Sequence, residues 1–268
     1  MKSKIWVAAV MGLVVTALSA TMAIAQCPAP TDTVGLMIKF DADAFAYETD
    51  YTPGTYTSAA GSHLTVVGIV SQFCNPFTDL NALDPNTEYT FIWDGLVSNG
   101  TVTKTRGSST VFTTKYLGGG FRIYAGSPRN APTALTLPAL PAPGFVPAAF
   151  EAGTMILSGV MTDSLNVILT RTSGGIFTST YRANYMCTGG TLYARVGSGI
   201  SLMDGSWCPA TPPAPPGLVM GETLAGGQCD LPVGWSAHPN GKWDMPSTVV
   251  PPVAARHSTW GMIKSMYR

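Results

Sequence analysis

Charge is scarce in this sequence, and its scarcity excludes several classes of protein. Only 11% of the 268 residues are charged, against roughly 25% in an average globular protein. The 15 basic residues are balanced by 15 acidic ones. Such a chain has no electrostatic footprint for nucleic acid or for an anionic membrane surface. We therefore expect neither of these as a partner.

Motifs for catalysis or metal binding are missing as well. The 3 histidines form no HExxH pattern, no cysteine and histidine spacing fits a zinc site, and no GxSxG marks a nucleophile elbow. The glycine runs at 118–120 and 226–227 lack the Lys-Ser/Thr of a phosphate-binding loop. The sequence therefore favours a protein that is not an enzyme, and it predicts no cofactor apart from a candidate calcium site.

Helical periodicity is the third thing that the chain lacks. Beyond the first 25 residues only 258–268 has helical spacing, and that stretch could equally be a strand. The chain has instead 29 glycines, 21 prolines and short runs of β-branched and aromatic residues. This pattern predicts an all-β fold, an antiparallel β-sandwich of about ten to twelve strands with Pro/Gly-rich connectors. A closed transmembrane sheet of outer-membrane type is disfavoured, because its strands would alternate cleanly over roughly ten residues.

The clearest strand signal lies in Glu88–Val97. Successive side chains of a strand point to opposite faces, so Tyr89, Phe91 and Trp93 share one face, which we expect in the core. The segment His63–Phe73 is apolar almost throughout, which predicts a strand buried on both faces.

Glycine-rich sites after these strands predict two hairpin turns. Asn99-Gly100 is the dipeptide that suits a type I′ turn, so Thr101–Thr105 is expected to run back antiparallel. The run Gly118–Gly120 predicts a second tight turn, before the strand Phe121–Ala125.

The first 25 residues have the pattern of a secretory signal peptide. Lys2 and Lys4 precede the apolar segment Ile5–Leu18, and Ala23-Ile24-Ala25 provides the small residues of a cleavage site. We expect cleavage near Ala25 and a mature protein that is secreted, periplasmic or held at the cell surface. No membrane span is expected in the mature chain.

Residues 26–200 are expected to form the sandwich. Five prolines between positions 132 and 147 exclude a helix or a central strand there. The segment 127–149 is therefore an extended connector or a covering arm, and a candidate boundary between two smaller sandwiches. Residues 201–268 are expected to form a loop-rich C-terminal extension, rich in Cys, Pro and Trp, packed on the sandwich.

All five cysteines lie beyond the predicted signal peptide, and in an exported protein they favour disulfides over metal ligation. The odd count leaves one unpaired or shared between chains. Cys208–Cys229, which would close a Pro-rich loop, is the first predicted bridge, and Cys27–Cys74 is the second. The sequence leaves the connectivity and the oligomeric state open.

The densest acidic cluster comprises Asp41, Asp43, Glu48 and Asp50. Calcium binds several oxygen ligands, so the cluster is a candidate calcium site, although the EF-hand pattern is absent. A solvated strand end and turn is the simpler interpretation.

Paired carboxylates can also hydrolyse glycosides. The alternative function is therefore a secreted carbohydrate-active hydrolase that uses acids near Asp41, Asp43 or Glu88.

Three tryptophans beside turns are candidate ligand-binding residues: Trp207, Trp235 and Trp243. Flat aromatic rings on loops can stack on sugars or anchor a protein partner. The alternative is that they fill the interior of a region poor in regular structure. The sequence thus favours a secreted, non-enzymatic cell-surface, matrix or binding module, with a glycan or a surface protein as the expected partner.

Overall fold

Eleven β-strands account for most of the residues that the computed structural model describes, which are 35–133, 148–173, 175, 177–210, 220–224, 227–231 and 234–245. The strands are β1 (Leu36–Glu48), β2 (Ala60–Phe73), β3 (Glu88–Arg106), β4 (Ser109–Gly126), β5 (Thr154–Met161), β6 (Leu165–Thr172), β7 (Phe177–Gly189), β8 (Ile200–Pro209), β9 (Met220–Leu224), β10 (Gly227–Asp230) and β11 (Ala237–Asp244). A 3-10 turn spans Ala148–Glu151 and a one-turn helix, α1, spans Tyr193–Val196. Among these residues no helix is both long and apolar enough to span a membrane.

Backbone hydrogen bonds between neighbouring strands close the sheet into a ring with eight positions. From β1 to β4 each strand pairs with the next, and the ring continues through β5, β7, β8 and β11 back to β1, always antiparallel. Strands β5 and β6 share one position in the ring, because each of them pairs with β4 on one side and β7 on the other. The predicted all-β, antiparallel class is confirmed. The β9–β10 hairpin joins the sheet through one parallel pair with β7.

The segment predicted as a C-terminal extension, 201–268, supplies nearly all of β8 and the whole of β11. These two strands complete the ring, so this part of the chain belongs to the sheet. The predicted signal peptide 1–25 and the stretch 258–268 lie outside the described residues.

Both predicted hairpin turns are wrong, because β3 and β4 run straight through them. Between the pairs Ser98–Tyr116 and Thr101–Thr114, β3 has one residue more than β4, so Asn99-Gly100 forms a bulge. Glycine at positive φ serves a bulge as well as a turn, and Gly100 has φ 85°. The strands instead turn back just beyond Arg106, which is paired with Ser109.

Gly119 passes so close to β3 that no side chain fits there. It has φ 75°, and a Cβ would lie 2.6 Å from the carbonyl oxygen of Asp94. We expect Gly119→Ala to lower the free energy of unfolding by about 3 kcal/mol, from backbone strain and crowding together. Gly107→Ala is the matched control, since Gly107 also has positive φ but open space around it. It should cost only about 1 kcal/mol in the same urea titration, and equal losses would contradict the crowding.

Side chains from the strands all around the ring fill its inside, as is usual for a ring of eight strands. Tyr89, Phe91 and Trp93 lie in this core, as predicted. Rings from opposite walls meet there: the centroids of Phe121 on β4 and Trp243 on β11 are 6.0 Å apart. The interior is therefore a packed core.

A second apolar cluster, the outer cluster, covers part of the ring's outside. Phe45, Val67 and Ile92 point outward from β1, β2 and β3, and Ala131 and Phe150 pack over them. Val66 belongs to the inner core and Val67 to the outer cluster, so the predicted burial on both faces is confirmed for the middle of β2. It is wrong for the ends of the segment, where His63 and Ser71 are exposed. Ala131 and Phe150 flank the residues 134–147, which the structure does not describe, so the described ends of the proline-rich connector cover the sheet.

The three cysteines whose side chains the structure describes fall into two kinds. Cys74 and Cys208 are disulfide-bonded, whereas Cys187 is a free thiol buried inside the ring. Burial raises the pKa of Cys187 to about 12. The pairings Cys208–Cys229 and Cys27–Cys74 stay predictions, because Cys27 and the side chain of Cys229 lie outside the description.

Candidate functional site

A row of four polar side chains, the polar row, crosses the outside of four neighbouring strands. Lys39 on β1 lies opposite Gln72 on β2 and Lys242 on β11, and Lys242 lies opposite Asp204 on β8. Lys39 points outward because its neighbours on both sides are buried in the core. The strands of the ring thus bring together residues from distant parts of the sequence.

The polar row lines a groove with a volume of about 340 Å³. Small-molecule sites commonly have volumes from about 300 to 1,000 Å³. Leu36 and the glycines Gly205 and Gly241 complete the lining. The surface of the groove is almost entirely apolar, so the four residues of the polar row line it mainly with carbon atoms.

The two glycines are required by a tyrosine beneath the groove. Gly205 and Gly241 face each other on β8 and β11, and a Cβ at Gly241 would collide with the hydroxyl of Tyr181. That hydroxyl is buried and has no hydrogen-bond partner among the described side chains and backbone. Burial raises the pKa of Tyr181 well above its ordinary value, and the nearby charge of Asp204 raises it further.

Charges of both signs meet in and beside the groove, and Arg182 of β7 lies directly opposite Asp204. The Nζ of Lys242 lies 3.0 and 3.1 Å from the two carboxylate oxygens of the buried Asp244, and 3.7 Å from Oδ1 of Asp204. Burial lowers the pKa of Lys242, but its hydrogen bonds and the charges of both aspartates outweigh burial, so the pKa is raised. Lys242 is thus a protonated donor held in place by two acids.

Lys39 and Lys242 lie directly opposite each other on neighbouring strands, where like charges repel unless acids offset them. Asp204 and Asp244 beside Lys242 provide that offset. The acids and bases of the row come from separate strands and meet at one groove. The polar row is therefore the strongest candidate site on the outside of the ring.

A buried carboxyl group at one end of the ring is the second notable feature. Glu48 points inward and is 5% exposed. Its carboxyl oxygens accept hydrogen bonds from the hydroxyl of Ser58 and, at 3.0 Å, from that of Tyr116. Burial raises the pKa of Glu48 to about 7, against the lowering effect of these hydrogen bonds. The cavity beside it has a volume of about 20 Å³, which suits one water molecule and no larger ligand.

The predicted calcium ligands do not converge among the side chains that the structure describes. Asp43 and Glu48 lie on opposite faces of β1, because an odd number of positions separates them. Asp50 is exposed in the following turn, and the side chain of Asp41 lies outside the description. Within the described ranges no three His, Cys, Asp or Glu side chains are grouped as metal ligands.

Glu88, proposed for the hydrolase alternative, has a structural role. Its Oε2 accepts hydrogen bonds from the backbone N–H groups of Asn130 and Ala131, at 2.9 and 2.7 Å. The carboxylate thereby fixes the start of the covering segment on the outer cluster. Asp43 lies on β1, which is separated from β3 and Glu88 by β2.

All three candidate tryptophans are buried. Trp207 and Trp243 belong to the inner core, and Trp235 belongs to the outer cluster. Their exposed fractions are 5%, 0% and 2%, respectively. No ring face is available for a sugar, so their placement agrees with the packing alternative and not with a shared binding surface.

The sequence gives little sign of the polar row. Lys39 and Lys242 are single charges inside otherwise apolar or turn-like segments. Such lysines are a weak signal, because only the strand pairing shows that they are neighbours.

Comparison with known proteins gives no relative: no family model, curated protein or solved structure matches the chain.

Proposed function

We propose that this chain is an exported, non-enzymatic binding module that holds its ligand in the groove of the polar row. The observation that carries this proposal is the row itself, in which Gln72, Lys39, Lys242 and Asp204 come from four adjacent strands to line one groove. Sites built on strands hold their side chains more firmly than sites on loops. The ring is the scaffold, and the groove is the site.

The packed interior supports an external site. Trp93 on β3 and Tyr181 on β7 have ring centroids 5.6 Å apart, so aromatic side chains occupy the space that a ligand would need inside. Because side chains fill the interior, we also propose that the ring is a closed sandwich, in which the strands on opposite sides pack as two layers.

Export is supported by two observations of different kinds. The predicted signal peptide directs the chain out of the cytosol. Cys74 and Cys208 are disulfide-bonded, and disulfides persist mainly in oxidising compartments. We propose a secreted, periplasmic or cell-surface location.

Soaking crystals with a library of small polar fragments tests the binding site without assuming a ligand. We expect fragments in the groove, with polar atoms within hydrogen-bond distance of Asp204 or Lys242, because these side chains are partly exposed at 36% and 42%. The readout is electron density for fragments at the polar row.

A double variant, Lys39→Ala with Asp204→Ala, should lose these fragments. Lys115→Ala is the matched control, since Lys115 also points outward but lies on β4, beside Asn166 of β6. Fragments that cluster only elsewhere, or that still occupy the groove of the double variant, would contradict the proposed function.

A further inference from the structure

We infer that a second surface of the ring, separate from the groove, binds an acidic polysaccharide. This surface, the basic face, is the outer side of four neighbouring strand segments: Val102–Arg106 of β3, Val111–Lys115 of β4, Asn166–Thr170 of β6 and Thr178–Arg182 of β7. Antiparallel pairing without register shifts holds the four segments side by side. The inference goes beyond the proposed function, because the described lining of the groove contains none of these residues.

Four cations point outward from the basic face. Lys104 is paired with Val111, which lies on the same side of β4 as Lys115 because an even number of positions separates them. Lys115 is paired with Asn166, and Asn166 with Arg182, so the same side continues across β6 and β7. The alternate positions of β4 and β6 are buried, which identifies this side as the outer one. The four cations, all exposed, are Lys104, Arg106, Lys115 and Arg182.

The charges within the basic face are all of one sign. Residues 98–117 and 165–183 contain no Asp or Glu, so equal totals of acid and base along the chain conceal a local excess of cations. Two acids adjoin the face at its borders: Asp204 on β8 lies opposite Arg182, and Asp163 is exposed in the turn before β6. None of the four cations forms an ion pair with a side chain that the structure describes. They are therefore available to an anionic partner.

The side chains between the cations favour a sugar polymer over other polyanions. Threonine hydroxyls, which both donate and accept, match the hydroxyl groups of a sugar, and Val102 and Ile168, which are 56% and 41% exposed, offer aliphatic contact to its C–H groups. The outward positions of the four segments hold no aromatic residue. Surfaces for single-stranded nucleic acid stack bases on aromatic rings, and surfaces that enter a membrane interface typically carry Trp or Phe. The outward threonines are Thr113, Thr170, Thr178 and Thr180.

The size of the basic face suits an extended polymer. Neighbouring strands are about 4.8 Å apart, so the face is roughly 14 Å wide from β3 to β7, and Arg106 and Lys115 are roughly 20 Å apart along the strands. Cations spread over this area cannot converge together on one small anion. Each exposed cation contributes little alone, so a chain with repeated carboxylate or sulfate groups, which engages several cations at once, is the ligand that the face can hold.

Dextran sulfate and unmodified dextran of equal length test this inference, because the two polymers share a backbone and differ in charge. We expect the purified protein to bind immobilised dextran sulfate and not dextran. The affinity should fall as salt is raised from 0.1 M to 1 M, since the Debye length shrinks from about 10 Å to about 3 Å. Biolayer interferometry measures the dissociation constants.

The double variant Lys104→Gln with Arg106→Gln should weaken the binding of dextran sulfate roughly tenfold. Both side chains are exposed, so the variant should fold normally, which urea unfolding checks. Arg129→Gln with Arg195→Gln is the matched control. It removes the same net charge from cations that are already paired with Glu88 and Asp79, and it should leave the affinity unchanged.

Three results would overturn the inference. Equal binding of dextran and dextran sulfate would show that charge is not recognised, and an equal loss in both double variants would show that the basic face is not the site. Tighter binding to a single-stranded oligonucleotide or to phosphatidylglycerol vesicles than to dextran sulfate would overturn the choice of a polysaccharide. The fragment experiment probes the groove alone, so the failure of either proposal leaves the other standing.

Discussion

Trp243→Ala is expected to lower the free energy of unfolding by about 3 to 5 kcal/mol, the usual cost of removing a large aromatic side chain from a core. Trp243 is fully buried and lies against Phe40, Phe91, Trp93 and Phe121, with ring centroids 5.0 to 6.0 Å apart. Its loss would leave a cavity lined by rigid rings that close in poorly. Urea unfolding followed by circular dichroism measures the change.

Ile200→Ala provides the comparison for this variant. Ile200 is a large apolar residue that is 55% exposed, so its truncation should change the free energy of unfolding by no more than about 0.5 kcal/mol. A loss of similar size for both variants would mean that Trp243 does not belong to the core. An unchanged stability of Trp243→Ala would restore the tryptophan as a candidate ligand contact.

Glu48→Gln is expected to remove a strong pH dependence of stability. Burial raises the pKa of Glu48 from its ordinary value of 4.5 to about 7 in the folded protein. The folded state therefore binds a proton more tightly than the unfolded state, and the free energy of unfolding falls as the pH rises from about 4.5 to about 7. Between pH 5 and pH 8 this single group contributes a fall of about 2 to 3 kcal/mol.

Glutamine has the shape of the protonated acid and cannot ionise. At pH 5 the variant should match the native chain, because the Ser58 and Tyr116 hydroxyls can each donate or accept. At pH 8 it should be more stable by about 2 to 3 kcal/mol. Thermal or urea unfolding across this pH range is the measurement.

Glu151→Gln is the control, since it removes a glutamate whose side chain is 46% exposed, and it should keep the native pH dependence. If Glu48→Gln also kept that dependence, burial of Glu48 would not be its source. A uniform loss of stability at every pH would show that the amide disturbs the hydrogen bonds of Ser58 and Tyr116.

Local alternation was sufficient to predict which residues form the core, but it could not predict how the strands continue. The prediction that Tyr89, Phe91 and Trp93 share the inner face is confirmed, because it depends only on neighbours in one strand. The predicted turn at Asn99-Gly100 is wrong, because the same dipeptide suits a turn and a bulge. Which of the two forms depends on the length of the partner strand, β4, and a local pattern does not contain that information.

The polar row could not be predicted from the sequence, for a related reason. Lys39 and Lys242 become neighbours only when β11 pairs with β1, and about two hundred positions separate them. The acids and tryptophans form clusters along the chain, and for this reason the sequence predicts sites there. Clustering along the chain is a poor guide to clustering in space, since β1 places Asp43 and Glu48 on opposite faces and all three tryptophans are buried.

The pairing of β1 with β11 also has a consequence for how the molecule is made. Leu36 and Asp244 are partners in the register, so β1 keeps one unpaired edge until β11 has been synthesised. Contacts between such remote parts of a chain form slowly, and unpaired strand edges promote aggregation while they wait. The nascent protein is therefore most vulnerable just before β11 is synthesised, and a chaperone that shields the edge of β1 would raise the yield of native molecules.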